Sequence, residues 1–240
     1  MRMKRLLKIG LLILLIVVLA DLFVQLPSDA TQSDGVPIRH ATVWEVYTKQ
    51  KVVALTFDDG PRPPYTTEIL SILHDAHIKA TFFVIGENAA RYKELVKETL
   101  DAGHQVGNHS WTHSEPILRH EDLALQEIER TDKLLRSLGV KGYIEFRAPY
   151  GETPPGLKKA LATLGRRDVL FDVNPNDWEN PPPGEIAARV LRRTRPGSII
   201  DLHDGGGIRR NTVAATPMII EGLLKEGYRF VTVEELLQLK

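Results

Sequence analysis

From residue 50 onward the chain changes period again and again, and this alternation restricts its fold more than any other feature. Short β-rich runs, VVALTF, ATFFVI, HQVGN, YIEFRA, DVLFDV, GSIIDL and YRFVTV, are separated by helix-like stretches near 66–76, 89–102, 119–138, 154–164, 184–194 and 213–226. In EDLALQEIERTDKLLRSLG, Leu123, Ile128, Leu134, Leu135 and Leu138 follow a helical period, and Gly139 supplies the stop. Strands joined through helices run parallel to one another. About seven parallel strands fit either an open doubly wound sheet or a closed (β/α) barrel. No G-x-G-x-x-G follows the first strand and no Walker lysine motif is present, which counts against the nucleotide-binding versions.

The polar residues favour the barrel. DDG follows the first run, NHSWTH the third, RAPYG the fourth, NDW the fifth and LHDGGG the sixth. All five clusters fall at strand C-terminal ends, where the βα loops of an α/β barrel converge on its active site. One cluster would be ordinary turn chemistry; five on one edge describe a site.

The first forty residues belong to something else. Arg2, Lys4, Arg5 and Lys8 precede an apolar run from Ile9 to Ala20, continued after Asp21 by Leu22, Phe23 and Val24. Basic residues ahead of an apolar core form an export signal. Val18-Leu19-Ala20 suits a signal peptidase, yet the apolar stretch approaches the roughly 17 residues that span a bilayer. A cleaved signal and a retained anchor with its basic end inside both fit residues 1–24. Either places the bulk of the chain outside the cytoplasm. Residues 25–42 read as a linker and 43–240 as a single catalytic domain, expected to be monomeric. The 31 basic and 31 acidic residues cancel, so nothing draws the chain to nucleic acid. With no cysteine, disulfides, thiolate ligands and a cysteine nucleophile are excluded.

Within the clusters, His109 and His113 are four apart, so on a helical turn both imidazoles face one way. Alone, H-x-x-x-H is weak evidence; a carboxylate from another strand end strengthens it. Asp58 and Asp59 are consecutive, and on extended chain their side chains diverge, so one can ligate a metal while its neighbour faces the substrate. Two histidines and one aspartate leave coordination positions open, as in a catalytic zinc site. His203 ends an apolar strand, where a satisfied core histidine is the plainer alternative. Asp177 can bond a histidine and fix its tautomer. Arg147 can hold a neighbouring aspartate ionised, and the Pro149-Tyr150-Gly151 turn can aim a backbone N–H at an oxyanion. Trp178 and Leu202 are core candidates that could instead wall a small apolar pocket. The Asn108-His109-Ser110 sequon is expected to be accidental, because a metal-binding His109 would fold that loop inward.

Together, TFDDG, HSWTH, RAPYG, NDW and IIDLHD resemble, in order and spacing, the motifs of the polysaccharide deacetylases, carbohydrate esterase family 4, over residues 51 to about 235. The resemblance implies a distorted (β/α) barrel and a metal-dependent hydrolase, with zinc or cobalt, that removes acetyl groups from an N-acetylated glycan. It also implies roles: Asp59, His109 and His113 as metal ligands, Asp58 as base, and Arg147 as the residue holding that base. Tyr150 would supply the oxyanion N–H, His203 the acid and Asp177 its tuning carboxylate, with Trp178 and Leu202 around the acetate methyl. Asp201 departs from the family, which usually has an apolar residue there. By strand alternation it should point away from Leu202, so altered packing is expected rather than lost chemistry. The basic, glycine-rich DGGGIRRNT loop is a second departure. Two rivals are an O-deacetylase acting on a polymer such as acetylated xylan, and an inactive, tethered glycan-binding protein.

Overall fold

The computed structural model describes residues 42–239. The signal or anchor segment and nearly all of the linker lie outside them. Strand β1 (Thr42–Val43) leads to β2 (Val52–Asp58), α1 (Tyr65–Asp75), β3 (Thr81–Val84), α2 (Gly86–Arg91), α3 (Lys93–Asp101) and β4 (Gln105–Asn108). Then follow α4 (Glu115–Leu118), α5 (Glu121–Ser137), α6 (Pro155–Thr163), β5 (Asp168–Val169) and α7 (Pro183–Arg193). The chain closes with β6 (Ile199–His203), α8 (Arg210–Lys225), β7 (Arg229–Val231) and α9 (Val233–Leu237).

All the strand pairs are parallel, as crossover helices require. The main sheet runs β4-β3-β2-β6, while β7 pairs with the first three residues of β2 and β3 with its last three. Single bridges complete the ring: Asn108 to Phe146, Phe146 to Asp168 in β5, and Val173 to Ile200 in β6. The result is the expected distorted barrel.

Its distortion has local causes. YIEFRA does not form a strand; only Phe146 bridges to its neighbours before the chain turns through Pro149–Gly151. DVLFDV is strand only at Asp168 and Val169. The Asp172 carboxylate then accepts from the Ile199 N–H and the Ser198 hydroxyl, both at 2.8 Å, so a side chain takes a place a backbone carbonyl would fill. Thr42 and Val43, at the expected edge of linker and domain, form β1 and pair with β5.

Period-two alternation sorts the strands into two layers. Val53, Leu55 and Phe57 of β2, with Ile200 and Leu202 of β6, belong to the cluster that includes Ile69, Leu73, Ile219 and Leu223 from α1 and α8. Val52, Ala54 and Ile199 instead join Phe83, Val169, Val233 and Leu236 inside the barrel, where α9 contributes. Above this apolar plug the same inner face carries Thr56 and Asp58 on β2, in register with Asp201 and His203 on β6. The core therefore seals one end and leaves polar side chains at the other.

Candidate active site

A cavity of about 420 Å³ opens at the C-terminal ends of the strands, lined among others by Asp58, Asp59, His109, His113, Tyr150 and His203. Asp58 ends β2 and is nearly buried. Asp59 does not continue the strand: its φ of 72° is left-handed, a conformation that costs a non-glycine residue energy and marks a functional constraint. This turn, rather than strand alternation, lets both carboxylates face the cavity. Gly60 makes it possible, because a Cβ there would stand 2.2 Å from Asp204 Oδ2. Asp204 braces the turn from below, its N–H on the Asp58 carbonyl at 3.0 Å and its carboxylate accepting from Thr66 Oγ1 at 2.5 Å.

His109 and His113 stand on a loop after β4, not on a helix, and their ring centroids are 4.9 Å apart. Ser110 and His113 adopt left-handed φ values of 65° and 59°. Buried Glu127 of α5 organises this loop, its Oε2 accepting from the N–H groups of Trp111 and Thr112 and from the Thr112 hydroxyl. Asn108 is fully buried and donates to the Ile128 carbonyl and Asp132, so the sequon is inaccessible.

The three candidate ligands meet. One donor atom each from Asp59, His109 and His113 lies within 4.8 Å of the others. Asp59 Oδ1 is buried without a hydrogen-bond partner, 3.2 Å from His113 Nε2 and 3.6 Å from His109 Nε2. An orphaned carboxylate oxygen facing two ring nitrogens needs a cation or a proton between them. His109 Nδ1 lies 2.9 Å from the Arg147 carbonyl, which fixes a tautomer with Nε2 free to ligate. Burial, reinforced by His113, lowers the His109 pKa to about 3, so the ring is neutral, as a ligand must be. The donor set fits a divalent cation.

Arg147 is fully buried and donates through Nη1 to Asp58 Oδ1 and Thr56 Oγ1, both at 2.7 Å, and to Asp201 Oδ1 at 3.3 Å. Its Nε and Nη2 anchor on the carbonyls of Val169 and Leu170. Asp58 Oδ2 faces His109 Nε2 at 3.7 Å, which leaves this oxygen beside the ligand set.

Across the cavity, His203 Nδ1 lies 2.8 Å from Asp177 Oδ1, while Asp177 Oδ2 accepts the His203 N–H at 2.9 Å and the Thr212 hydroxyl at 2.7 Å. Burial opposes charge on His203, but Asp201 and the Asp177 hydrogen bond outweigh it and raise the pKa to about 10. Burial likewise pushes Asp177 up, and the bonds from His203 and Thr212 more than reverse this. The pair is an imidazolium on a carboxylate.

Tyr150 sits in a tight turn with φ 62°, its ring 4.4 Å from that of His113 and its hydroxyl donating to the His113 carbonyl at 3.2 Å. Asp168 holds this turn, accepting from the Ala148 N–H and the Thr153 hydroxyl. Trp178 is half exposed on the cavity wall, in the turn begun by Asp177.

Leu202 requires a correction. It is fully buried in the outer layer, opposite Phe57 in register, and does not line the cavity. Side chains two apart on a strand share a face, so the residue that accompanies His203 is Asp201. Asp201 lines the cavity, bonds Arg147, and accepts from Asn174 Nδ2 at 3.1 Å. Burial, then the neighbouring Asp58 carboxylate, pushes its pKa well above the usual range. The altered residue thus enters the site rather than the packing, and its i−2 relation to His203 is the signal that identifies it. Glu127 and Asp168 carry no such signal, since both act through contacts distant in sequence.

The sequence model of the polysaccharide deacetylase family matches residues 45–169. A peptidoglycan-N-acetylglucosamine deacetylase of Bacillus cereus is 39% identical over 199 residues, 82% of this chain and 93% of that protein. Among solved structures, the Bc1960 peptidoglycan N-acetylglucosamine deacetylase superposes with a TM-score of 0.77 at 33% identity, covering 84% of this chain and 94% of that one. BA3943, a CE4 family pseudoenzyme from Bacillus anthracis, superposes nearly as well, with a TM-score of 0.76 at 27% identity over 86% of this chain and 71% of its own. Since an inactive relative shares the fold, activity has to be argued from the residues.

Proposed function

The chain belongs to the polysaccharide deacetylase family, and we propose that it removes N-acetyl groups from an exported or cell-wall polysaccharide, releasing acetate. The observation that carries this reading is the placement of an Asp59–His109–His113 ligand set, the Asp58 carboxylate and the Asp177-bound His203 around one cavity. A divalent cation on the ligand set, zinc in this reading, supplies a Lewis acid for the acetamide carbonyl and for the attacking water. Asp58 removes the proton of that water, with Arg147 holding the carboxylate in place. The Tyr150 N–H supports the developing oxyanion. His203 protonates the sugar nitrogen as the C–N bond breaks, a step an amine leaving group needs and an ester needs less. Phe171 and Trp178 line the cavity with Asp201 and Asn174, so the space beside the metal site is part apolar and part polar.

Export rests on the basic and apolar N-terminal sequence. The expected result is full-length protein in the membrane fraction or outside the cell; soluble cytosolic protein with Met1 intact would count against it. The activity is tested by measuring acetate release from chitooligosaccharides, peptidoglycan and acetylated xylan in parallel. Release from the first two supports the N-deacetylase reading, and release from xylan alone makes it an O-deacetylase. Tight glycan binding with no acetate from any of them makes it a binding protein.

A further inference from the structure

The floor of the cavity is only partly apolar. On the inner face of β6, Asp201 precedes His203 by two residues, and Thr56 precedes Asp58 on β2 in the same register. Side chains two apart on a strand are separated by about 6.6 Å along it, so Asp201 lies one layer below the acid and the base. Exposure follows depth: Tyr150 and Trp178 are more than half exposed, whereas Asp201 is 1% exposed and still lines the cavity. Two donors hold its carboxylate. Oδ1 accepts from Arg147 Nη1 at 3.3 Å, and Oδ2 from Asn174 Nδ2 at 3.1 Å. Asn174 is itself oriented, because its Oδ1 accepts the Asn176 N–H at 2.6 Å. A carboxylate has about four acceptor positions, and donors of the described residues fill two of them here. Phe171 supplies the apolar side of the same floor. Its ring centroid is 5.4 Å from Arg147 Cζ, and a Cβ on Gly151 would stand 3.2 Å from its Cζ, which sets it against the Tyr150 turn.

We propose that Asp201 selects the acyl group, and that the preferred substrate is an N-hydroxyacetyl amino sugar, with the N-acetyl form accepted less well. The proposal rests on the deacetylase reading of this site and concerns the acyl group rather than the glycan. The carbonyl carbon under attack has three substituents. Its oxygen faces the ligand set and the Tyr150 N–H, its nitrogen faces His203, and the sugar on that nitrogen extends through the mouth. The remaining substituent is directed to the floor. A methyl group there answers Phe171 but leaves the buried Asp201 carboxylate short of donors. A hydroxymethyl group answers both, with its carbon toward Phe171 and its hydroxyl donating to Asp201. The hydrolysis is otherwise the same. The water oxygen bonds to the acyl carbon as Asp58 takes its proton, the C–N bond breaks with its electron pair left on nitrogen, and His203 protonates that nitrogen. Hydroxyacetic acid and a free amino sugar leave, and a proton passing from Asp58 to His203 through solvent restores both groups.

The test uses zinc-loaded full-length protein and two glycans, a glucosamine tetrasaccharide and soluble N-deacylated peptidoglycan strands, each re-acylated with acetyl or with hydroxyacetyl groups. The released acid is measured. For unaltered protein, kcat/KM of the hydroxyacetyl form is expected to exceed that of the acetyl form at least threefold on whichever glycan is cleaved, within the roughly two- to tenfold scale of one net hydrogen bond. For Asp201→Leu this ratio is expected to fall at least threefold, because the hydroxyl then meets an apolar side chain. Asp201→Asn keeps an acceptor and should lie between. Lost support of Arg147 slows both forms alike and cancels in the ratio, so a purely structural role for Asp201 would leave the ratio unmoved. A ratio under threefold in unaltered protein overturns the proposal, and so does a fall of less than threefold in Asp201→Leu. If none of the four substrates releases acid, the deacetylase reading fails. The ratio of Kd for the two tetrasaccharides by calorimetry, in unaltered and Leu proteins, then decides the preference at Asp201 by the same thresholds.

Discussion

Nη1 of Arg147 lies 2.7 Å from Asp58 Oδ1, and the next residue along the chain, Asp59, points an unpartnered oxygen at His113 instead. Adjacent and chemically identical side chains are thereby divided between an arginine and a ligand set. The division has consequences that can be measured separately.

Asp58→Asn leaves the three ligands intact but cannot take a proton from water. Its metal content should stay near stoichiometric while turnover falls by about 10²-fold or more, with no rescue by added zinc. Asp59→Asn replaces an anionic ligand with a neutral amide, so metal content should fall and excess zinc should restore part of the activity. Metal analysis with kcat on both variants checks this, and the opposite pattern would reverse the two roles.

Chelation should abolish acetate release, and zinc or cobalt should restore it. His113→Ala should lose the metal. His77→Ala should not, because His77 is an exposed residue after α1, outside the ligand set. Activity retained in metal-free protein would sink the site assignment.

His203 titrates near 10, above the ordinary 6.5 of a histidine. A raised pKa means the folded state binds the proton more tightly, so its stabilisation is complete below about 6.5 and is lost as pH rises through about 10. Removing the paired carboxylate in Asp177→Asn should therefore destabilise the metal-free protein most at neutral pH and least above pH 10. NMR titration should show the His203 pKa falling in the variant. With metal and substrate, the alkaline limb of kcat/KM should move to lower pH. An unmoved His203 titration would show that Asp177 only positions the ring.

Leu202 and Asp201 should separate stability from chemistry. Leu202→Ala empties space in the outer layer and should cost about 2–5 kcal/mol of stability, with kcat of the folded protein little changed. Asp201→Leu removes a bond to Arg147 from the barrel interior and should lower kcat by roughly ten- to a hundredfold, the scale of a hydrogen bond to a charged group. Asp201→Asn should recover part of that loss. Denaturant melts alongside kcat on the three variants decide it; a loss of kcat in Leu202→Ala at full folding would return that residue to the pocket.

Much of the site was legible because its residues lie in short motifs at strand ends. Asp58, Asp59, His109, His113, Arg147, Tyr150, Asp177 and His203 all reach one region, since parallel strands bring their C-terminal ends together. Local geometry was less legible. The expected helical turn for His109 and His113 is a loop with left-handed residues, and the divergence expected of Asp58 and Asp59 is undone by the turn at Asp59. Backbone strain of this kind is held by neighbours such as Glu127 and Asp204, whose roles depend on contacts far apart in sequence.

By itself the sequence determined the alternation of strands and helices, the parallel sheet, and the edge on which the chemistry lies, because periodicity and chain order are local properties. The tertiary structure alone decided which face of β6 turns inward, and with it that the face shared by Asp201 and His203, and not that of Leu202, enters the cavity. A strand's alternation makes two faces without saying which is core. Only the register of Asp58 against His203, set by closing the barrel, makes that choice.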